Sequence, residues 1–180
     1  MALWVVRHAQ PLVEAGICYG ALDLPADAQA TSVAADALAR VLPQGLVLRV
    51  SPLKRCQQLA LALQALRPDV QALTDPRLRE MDFGVWEGVA WDAIPPSALQ
   101  AWTEDFGAHR FGGIESANEV LARVATLWDE PRSGDAAWIT HAGVARALSL
   151  LAAGVRCVTR ADQWPRQAPG YGTWYCLQAR

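Results

Sequence analysis

Short apolar runs rich in strand-forming residues alternate along this chain with apolar patterns of helical period, and no other feature restricts the fold as much. Leu3 to Val6 suits a strand buried on both faces. Residues 31–42 place Val33, Ala37, Leu38, Val41 and Leu42 at helical spacing, and Pro43-Gln44-Gly45 ends that helix. Leu46 to Val50 reads as a second strand. Ser51-Pro52 follows as an N-cap and first helical residue, opening a helix to about Leu66. Residues 70–73 form a third, short strand. Ser116 to Glu130 returns to helix, Ala136 to Thr140 to strand, Gly143 to Ala153 to helix and Thr173 to Leu177 to a last strand. Strands alternating with helices predict an α/β fold, a three-layer α/β/α sandwich with a mostly parallel central sheet.

The chain of 180 residues is read as a single domain, 1–180. Between Asp75 and Gly113 the periodic pattern loosens around Pro76, Pro95, Pro96 and several glycines, so a loop-rich insertion or lid is expected at about 75–115. Trp86, Trp91 and Trp102 fall in that stretch. They are open to four readings: a lid, a substrate wall, a homodimer face or ordinary core packing.

A hydrophobic content of 52%, 19% charged residues and a net charge of −2 exclude a disordered or solvating acidic protein. They also lack the basic excess of a dedicated nucleic-acid binder. No apolar run of about 18 residues occurs, so no membrane partner is expected. Cys18, Cys56, Cys157 and Cys176 form no C-x-x-C pair, which leaves a zinc ribbon or thioredoxin site without support. Free thiols and the absence of a leader pattern before Arg7 point to a cytoplasmic protein.

Parallel sheets bind ligands beyond the carboxyl ends of their strands. Of the three histidines, His8 directly follows the first strand and His141 follows the Ala136–Thr140 strand, while His109 lies in the loose region. One histidine at a strand end is commonly structural; two at corresponding ends are harder to dismiss. Arg7 precedes His8, Ala142-Gly143 after His141 opens a helix, and Arg55 lies one turn into the helix after another strand. Two guanidiniums, two imidazoles and helix-end amides make a compact cationic pocket, suited to a phosphoryl group.

Arg7-His8-Ala9-Gln10 resembles the R-H-G-x signature of the histidine phosphatase superfamily, which includes the phosphoglycerate mutases. Ser51-Pro52-Leu53-Lys54-Arg55-Cys56 resembles its S-P-L-x-R-(A/C) segment. Leu78 to Gly84, with Trp86-Glu87-Gly88, resembles its L-x-E-x-x-x-G-x-W-E-G segment. Thr140-His141-Ala142-Gly143 resembles its T-H-x-G motif. The order of these four segments covers nearly the whole chain. Gly16 to Pro25, containing Cys18-Tyr19-Gly20, and Glu115-Ser116 resemble segments of the α-ribazole phosphatase-like branch, which acts in assembling the cobalamin lower ligand. The chain departs from the family pattern at Ala9, where glycine is usual, and at Gln10-Pro11.

The resemblance implies a phosphoglycerate mutase-like fold and a site made of particular residues. His8 is expected as the nucleophile, Glu80 as the proton donor and His141 as the third catalytic residue. Arg7, Arg55, Gln10, Tyr19, Ala142 and Glu87 are expected at the substrate; Glu87 is second choice for the acid, and Asp82 is a further nearby carboxylate. Neither cofactor nor metal is called for, because guanidinium and imidazolium supply the positive charge.

The implied activity is hydrolysis of a small phosphorylated metabolite through a phosphohistidine, with α-ribazole 5′-phosphate as the specific expectation. A phosphoglycerate-type phosphomutase and a non-catalytic phosphate-binding or interaction module are the alternatives. Phosphomutase relatives are longer, with a tail over the site, whereas this chain stops at Arg180 soon after its last strand, which favours hydrolysis.

Overall fold

The computed structural model describes residues 1–178. Its sheet contains β1 (Ala2–Arg7), β2 (Val47–Val50), β3 (Gln71–Thr74), β4 (Ala136–Thr140) and β5 (Trp174–Gln178), in the order β3-β2-β4-β1-β5. The first four are mutually parallel, and β5 closes the edge antiparallel to β1. The helices are α1 (Ala28–Val41), α2 (Lys54–Leu66), α3 (Pro96–Glu104), α4 (Ala117–Trp128) and α5 (Ala142–Ala152).

Strand side chains alternate between faces, and two cores result. Leu3 and Val5 of β1 and Trp138 of β4 pack against α4 and α5 through Val120, Val124, Val144 and Leu148. Val6, Leu48, Val50, Ala137 and Ile139 pack on the opposite face against α1 and α2 through Leu38, Leu59 and Leu63. The molecule is therefore the expected three-layer α/β/α sandwich.

Two helix starts differ by two residues or more from the sequence reading, each for a local reason. Helix α1 begins before Thr31 because Asp27 caps it, its carboxylate accepting from the Ala30 N–H at 2.7 Å. Helix α2 begins at Lys54 rather than at Pro52, with Leu53 as its N-cap. Ser51 is therefore not a helix cap and is free to turn inward.

The segment expected as a lid contains three short 3-10 turns, α3 and a satellite core of its own. Phe111 is fully buried there, with Trp102 stacked on it at 4.4 Å and Trp91 at 6.0 Å between ring centroids. Trp86 and Trp102 pack partly buried against this core, while Trp91 remains exposed at its edge. Ser116 caps α4 through a capping box with Glu119, while Glu115 pairs with Arg123. No helix among the described residues is long and apolar enough to cross a membrane. The four cysteines are unpaired.

Register positions the site. Arg7 pairs with Thr140 and Val50 with Ile139, so β1, β2 and β4 end side by side. The next residues are His8, Ser51 and His141. The His8 N–H continues the ladder to the Thr140 carbonyl at 3.1 Å, and the Ser51 N–H to the Ile139 carbonyl at 3.0 Å.

Candidate active site

His8 and His141 converge, with ring centroids 5.0 Å apart and both side chains buried. His8 Nδ1 donates to the Ala9 carbonyl at 2.7 Å, which leaves Nε2 with the lone pair. The Arg55 Nε–H points to that lone pair at 3.2 Å. Burial, and then the Arg55 guanidinium, push the His8 pKa down to about 3, so the ring is neutral near pH 7. His141 is likewise held well below its ordinary value by burial and by the His8 ring and Arg55.

His141 Nε2 lies 2.8 Å from Ser51 Oγ and 3.5 Å from Cys56 Sγ. Its Nδ1 is buried and finds no partner among the described residues; the same holds for Arg7 Nε. Buried polar atoms are nearly always hydrogen-bonded, so orphans beside a neutral, oriented imidazole mark a place for oxygen acceptors.

The arginines are held by backbone. Arg55 is fully buried, with Nη1 donating to the Leu22 carbonyl at 2.8 Å and Nη2 to the Gly20 carbonyl at 2.6 Å. Arg7 Nη1 donates to the Pro169 carbonyl at 3.1 Å, and its guanidinium lies 3.9 Å over the Tyr171 ring. Tyr19 hydroxyl meets Tyr171 hydroxyl at 2.7 Å. Glu80 reaches the same strand ends: its Oε2 accepts from the Gly143 N–H at 2.9 Å and its Oε1 from the Met81 N–H at 3.0 Å. Ala142 is buried at the first position of α5.

Two expected substrate contacts sit differently. Glu87 accepts four backbone N–H groups, from Gly20, Ala21, Leu22 and Phe83, at 2.8 to 3.0 Å. Its carboxylate organises the loop whose carbonyls hold Arg55. Gln10 is exposed, and its backbone carbonyl accepts from the Asp27 N–H. Ala9, in place of the usual glycine, causes no backbone strain, since no residue other than glycine has positive φ among the described residues.

Ser51 and Tyr171 join the site without having been expected there. The proline after Ser51 gives it the look of a helix cap in the sequence. Tyr171 enters because β5 runs antiparallel to β1, so the turn before β5 meets the end of β1; the Gly172 N–H donates to the His8 carbonyl at 2.9 Å. Among the described residues no cluster of three or more His, Cys, Asp or Glu side chains is arranged to hold a metal ion.

Solved structures similar to this chain share its fold over nearly its whole length. The mycobacterial glucosyl-3-phosphoglycerate phosphatase is 27% identical with a TM-score of 0.76, over 97% of this chain and 88% of that one. The same enzyme in complex with VO3 gives 28% and 0.78, over 98% and 90%. The protein TTHB049 from Thermus thermophilus is 29% identical with a TM-score of 0.73, over 98% and 92%. No curated protein matches the chain. The family model for the histidine phosphatase superfamily (branch 1) matches residues 3–165, and the chain belongs to that superfamily.

Proposed function

We propose that this protein is a phosphomonoesterase that works through a phosphohistidine on His8. The observation that carries the reading is the pair of buried, unpartnered atoms, His141 Nδ1 and Arg7 Nε, beside a His8 ring whose tautomer is set by Ala9. They fit the oxygens of a phosphoryl group.

In the first step His8 Nε2 attacks phosphorus. The N–P bond forms as the P–O bond to the alcohol breaks, and Glu80 gives its proton to the departing oxygen. Arg7, Arg55 and His141 stabilise the charge on the transferring group. In the second step water attacks phosphorus, the N–P bond breaks, and Glu80 takes the proton from water. Inorganic phosphate leaves and the neutral imidazole returns. Glu80 is suited to both roles because two backbone amides fix its orientation.

The substrate is a small phosphorylated metabolite. The resemblance of residues 16–25 to the α-ribazole phosphatase-like branch supports α-ribazole 5′-phosphate. The likeness to the mycobacterial glucosyl-3-phosphoglycerate phosphatase supports glucosyl-3-phosphoglycerate as the second candidate. A panel of both, with phosphoglycerates and sugar phosphates, decides by phosphate release. Isomerised product without release points to a mutase. Tight phosphate binding with neither adduct nor turnover points to a binding module.

A further inference from the structure

The two arginines of the phosphate pocket are held by different means. The Arg55 side chain has three hydrogen bonds, to His8 Nε2 and to the carbonyls of Leu22 and Gly20. The Arg7 guanidinium has one among the described residues, from Nη1 to the Pro169 carbonyl. Its charge nevertheless reaches both imidazoles, where it opposes protonation of His8 and of His141. A single bond leaves a guanidinium free to turn, so its plane must be set by packing. Tyr171 supplies that packing: the Arg7 guanidinium carbon lies 3.9 Å from the centre of its ring, and the His8 ring lies 5.7 Å from it, centroid to centroid. At 3.9 Å an N–H has no room to point into the ring. The two planes therefore lie face to face, and the donors point outward along the edge.

Tyr171 is itself held from two sides. Its turn is tied to the end of β1, with the Arg7 N–H donating to the Thr173 carbonyl at 3.0 Å and the Gly172 N–H to the His8 carbonyl at 2.9 Å. Its hydroxyl meets that of Tyr19 at 2.7 Å. Tyr19 begins the loop that holds the other arginine: the carbonyls of Gly20 and Leu22 take Arg55, and the Tyr19 ring centre is 5.5 Å from the Arg55 guanidinium carbon. Burial, and then the bond to Tyr171, push the Tyr19 phenol above its ordinary value, so it stays an O–H at neutral pH. Arg7, Tyr171, Tyr19 and Arg55 thus form a continuous chain of contacts between two distant segments.

Resting on the phosphomonoesterase reading, we infer that Tyr171 and Tyr19 form a clasp that positions Arg7 for the phosphoryl group. The face of Tyr171 fixes the guanidinium plane, which leaves the donors not spent on Pro169 for phosphate oxygens. The hydroxyl pair keeps the ring from turning away. Tyr171 acts through Arg7 and is a positioning residue.

Calorimetric titration with inorganic phosphate reads the clasp without turnover, and kcat/KM on 4-nitrophenyl phosphate reads it with turnover. Tyr171 is 36% exposed, so the fold tolerates its replacement. Tyr171→Leu removes the aromatic face and is expected to weaken phosphate binding and lower kcat/KM about tenfold, the worth of a partly desolvated cation–π contact. In an Arg7→Met background the same substitution is expected to cost less than about twofold. Tyr171→Phe keeps the face and loses the hydroxyl, at a cost of about threefold. Tyr19→Phe should match it, and the double Phe variant should lose no more than either, since all three break one bond.

Unchanged phosphate affinity in Tyr171→Leu overturns the clasp. So does a loss that persists undiminished without Arg7, which would give the ring a merely structural part. Additive losses in the two Phe variants overturn the hydroxyl bridge, and this arm stands even if Tyr171→Leu does not fold. Phosphate weakening that depends on Arg7, in a protein that hydrolyses no ester, supports the clasp and sinks only the phosphatase reading. Turnover through His8 without that dependence sinks only the clasp.

Discussion

The Gly143 N–H donates to Glu80 Oε2 at 2.9 Å, and a Cβ on residue 143 would lie 2.3 Å from Glu80 Oε1. The carboxylate and the α5 backbone therefore fit only while residue 143 has no side chain. Gly143→Ala should displace Glu80 while α5, whose dihedrals alanine adopts readily, stays folded. A displacement of about 1 Å costs on the order of 100-fold in rate. The expected outcome is such a fall in kcat on alkyl phosphates and a smaller one on nitrophenyl phosphate, whose leaving group needs less protonation. Equal falls on both would remove Glu80 from the acid role.

Glu87 and Arg55 form one device. The carboxylate gathers the amides of residues 20–22, and the carbonyls of Gly20 and Leu22 hold the guanidinium. Glu87→Gln puts an NH2 group against N–H donors. It should destabilise the fold by about 2 kcal/mol and raise KM about tenfold. Urea unfolding and steady-state kinetics measure the two effects. An unchanged KM in the folded variant contradicts the device.

The two imidazoles make stability depend on pH. His8 stays neutral in the native state down to about 3, whereas in the unfolded chain it takes a proton near 6.5. Between those values the unfolded state binds more protons. Stability is therefore full above pH 6.5 and is lost as pH falls. Each such histidine contributes a slope of about 1.4 kcal/mol per pH unit between pH 6 and 5, and His141 shares the direction. Urea unfolding at several pH values should show that His8→Asn flattens the slope by about that amount and that His141→Asn flattens it in the same direction. Slopes equal to wild type would mean that these rings are charged in the native protein.

Ser51 acts through His141. With Ser51 Oγ 2.8 Å from Nε2, the hydroxyl is placed to leave Nδ1 for a phosphoryl oxygen. Ser51→Ala should cost about tenfold or more in kcat/KM, by the ordinary worth of a hydrogen bond in a site. It should also change the His141 ring-nitrogen shifts in NMR, and Ser51→Thr should restore both. Lost activity with unchanged shifts would assign Ser51 a merely structural part.

The layers of the fold were legible because short unbroken apolar runs, such as Leu3 to Val6, read as strands buried on both faces and take turns along the chain with patterns of helical period. His8, His141, Arg7 and Arg55 were legible as strand-end and helix-start residues. What stayed hidden depends on contacts between segments. Ser51 faces His141 through the pairing of Val50 with Ile139, a register that no local pattern reveals. Tyr171 reaches Arg7 through the antiparallel direction of β5. Glu87 looked like a site carboxylate because its motif lies near Glu80, and only the loop's amides show its task.

The most direct measurement is a rapid quench of the protein mixed with a radiolabelled phosphomonoester, followed by peptide mapping under alkaline conditions. The account predicts an acid-labile, alkali-stable phosphoryl group on His8 that forms and decays at rates compatible with turnover and is missing in His8→Ala. Phosphate release with no adduct on residue 8, or with an adduct on another residue, would contradict it.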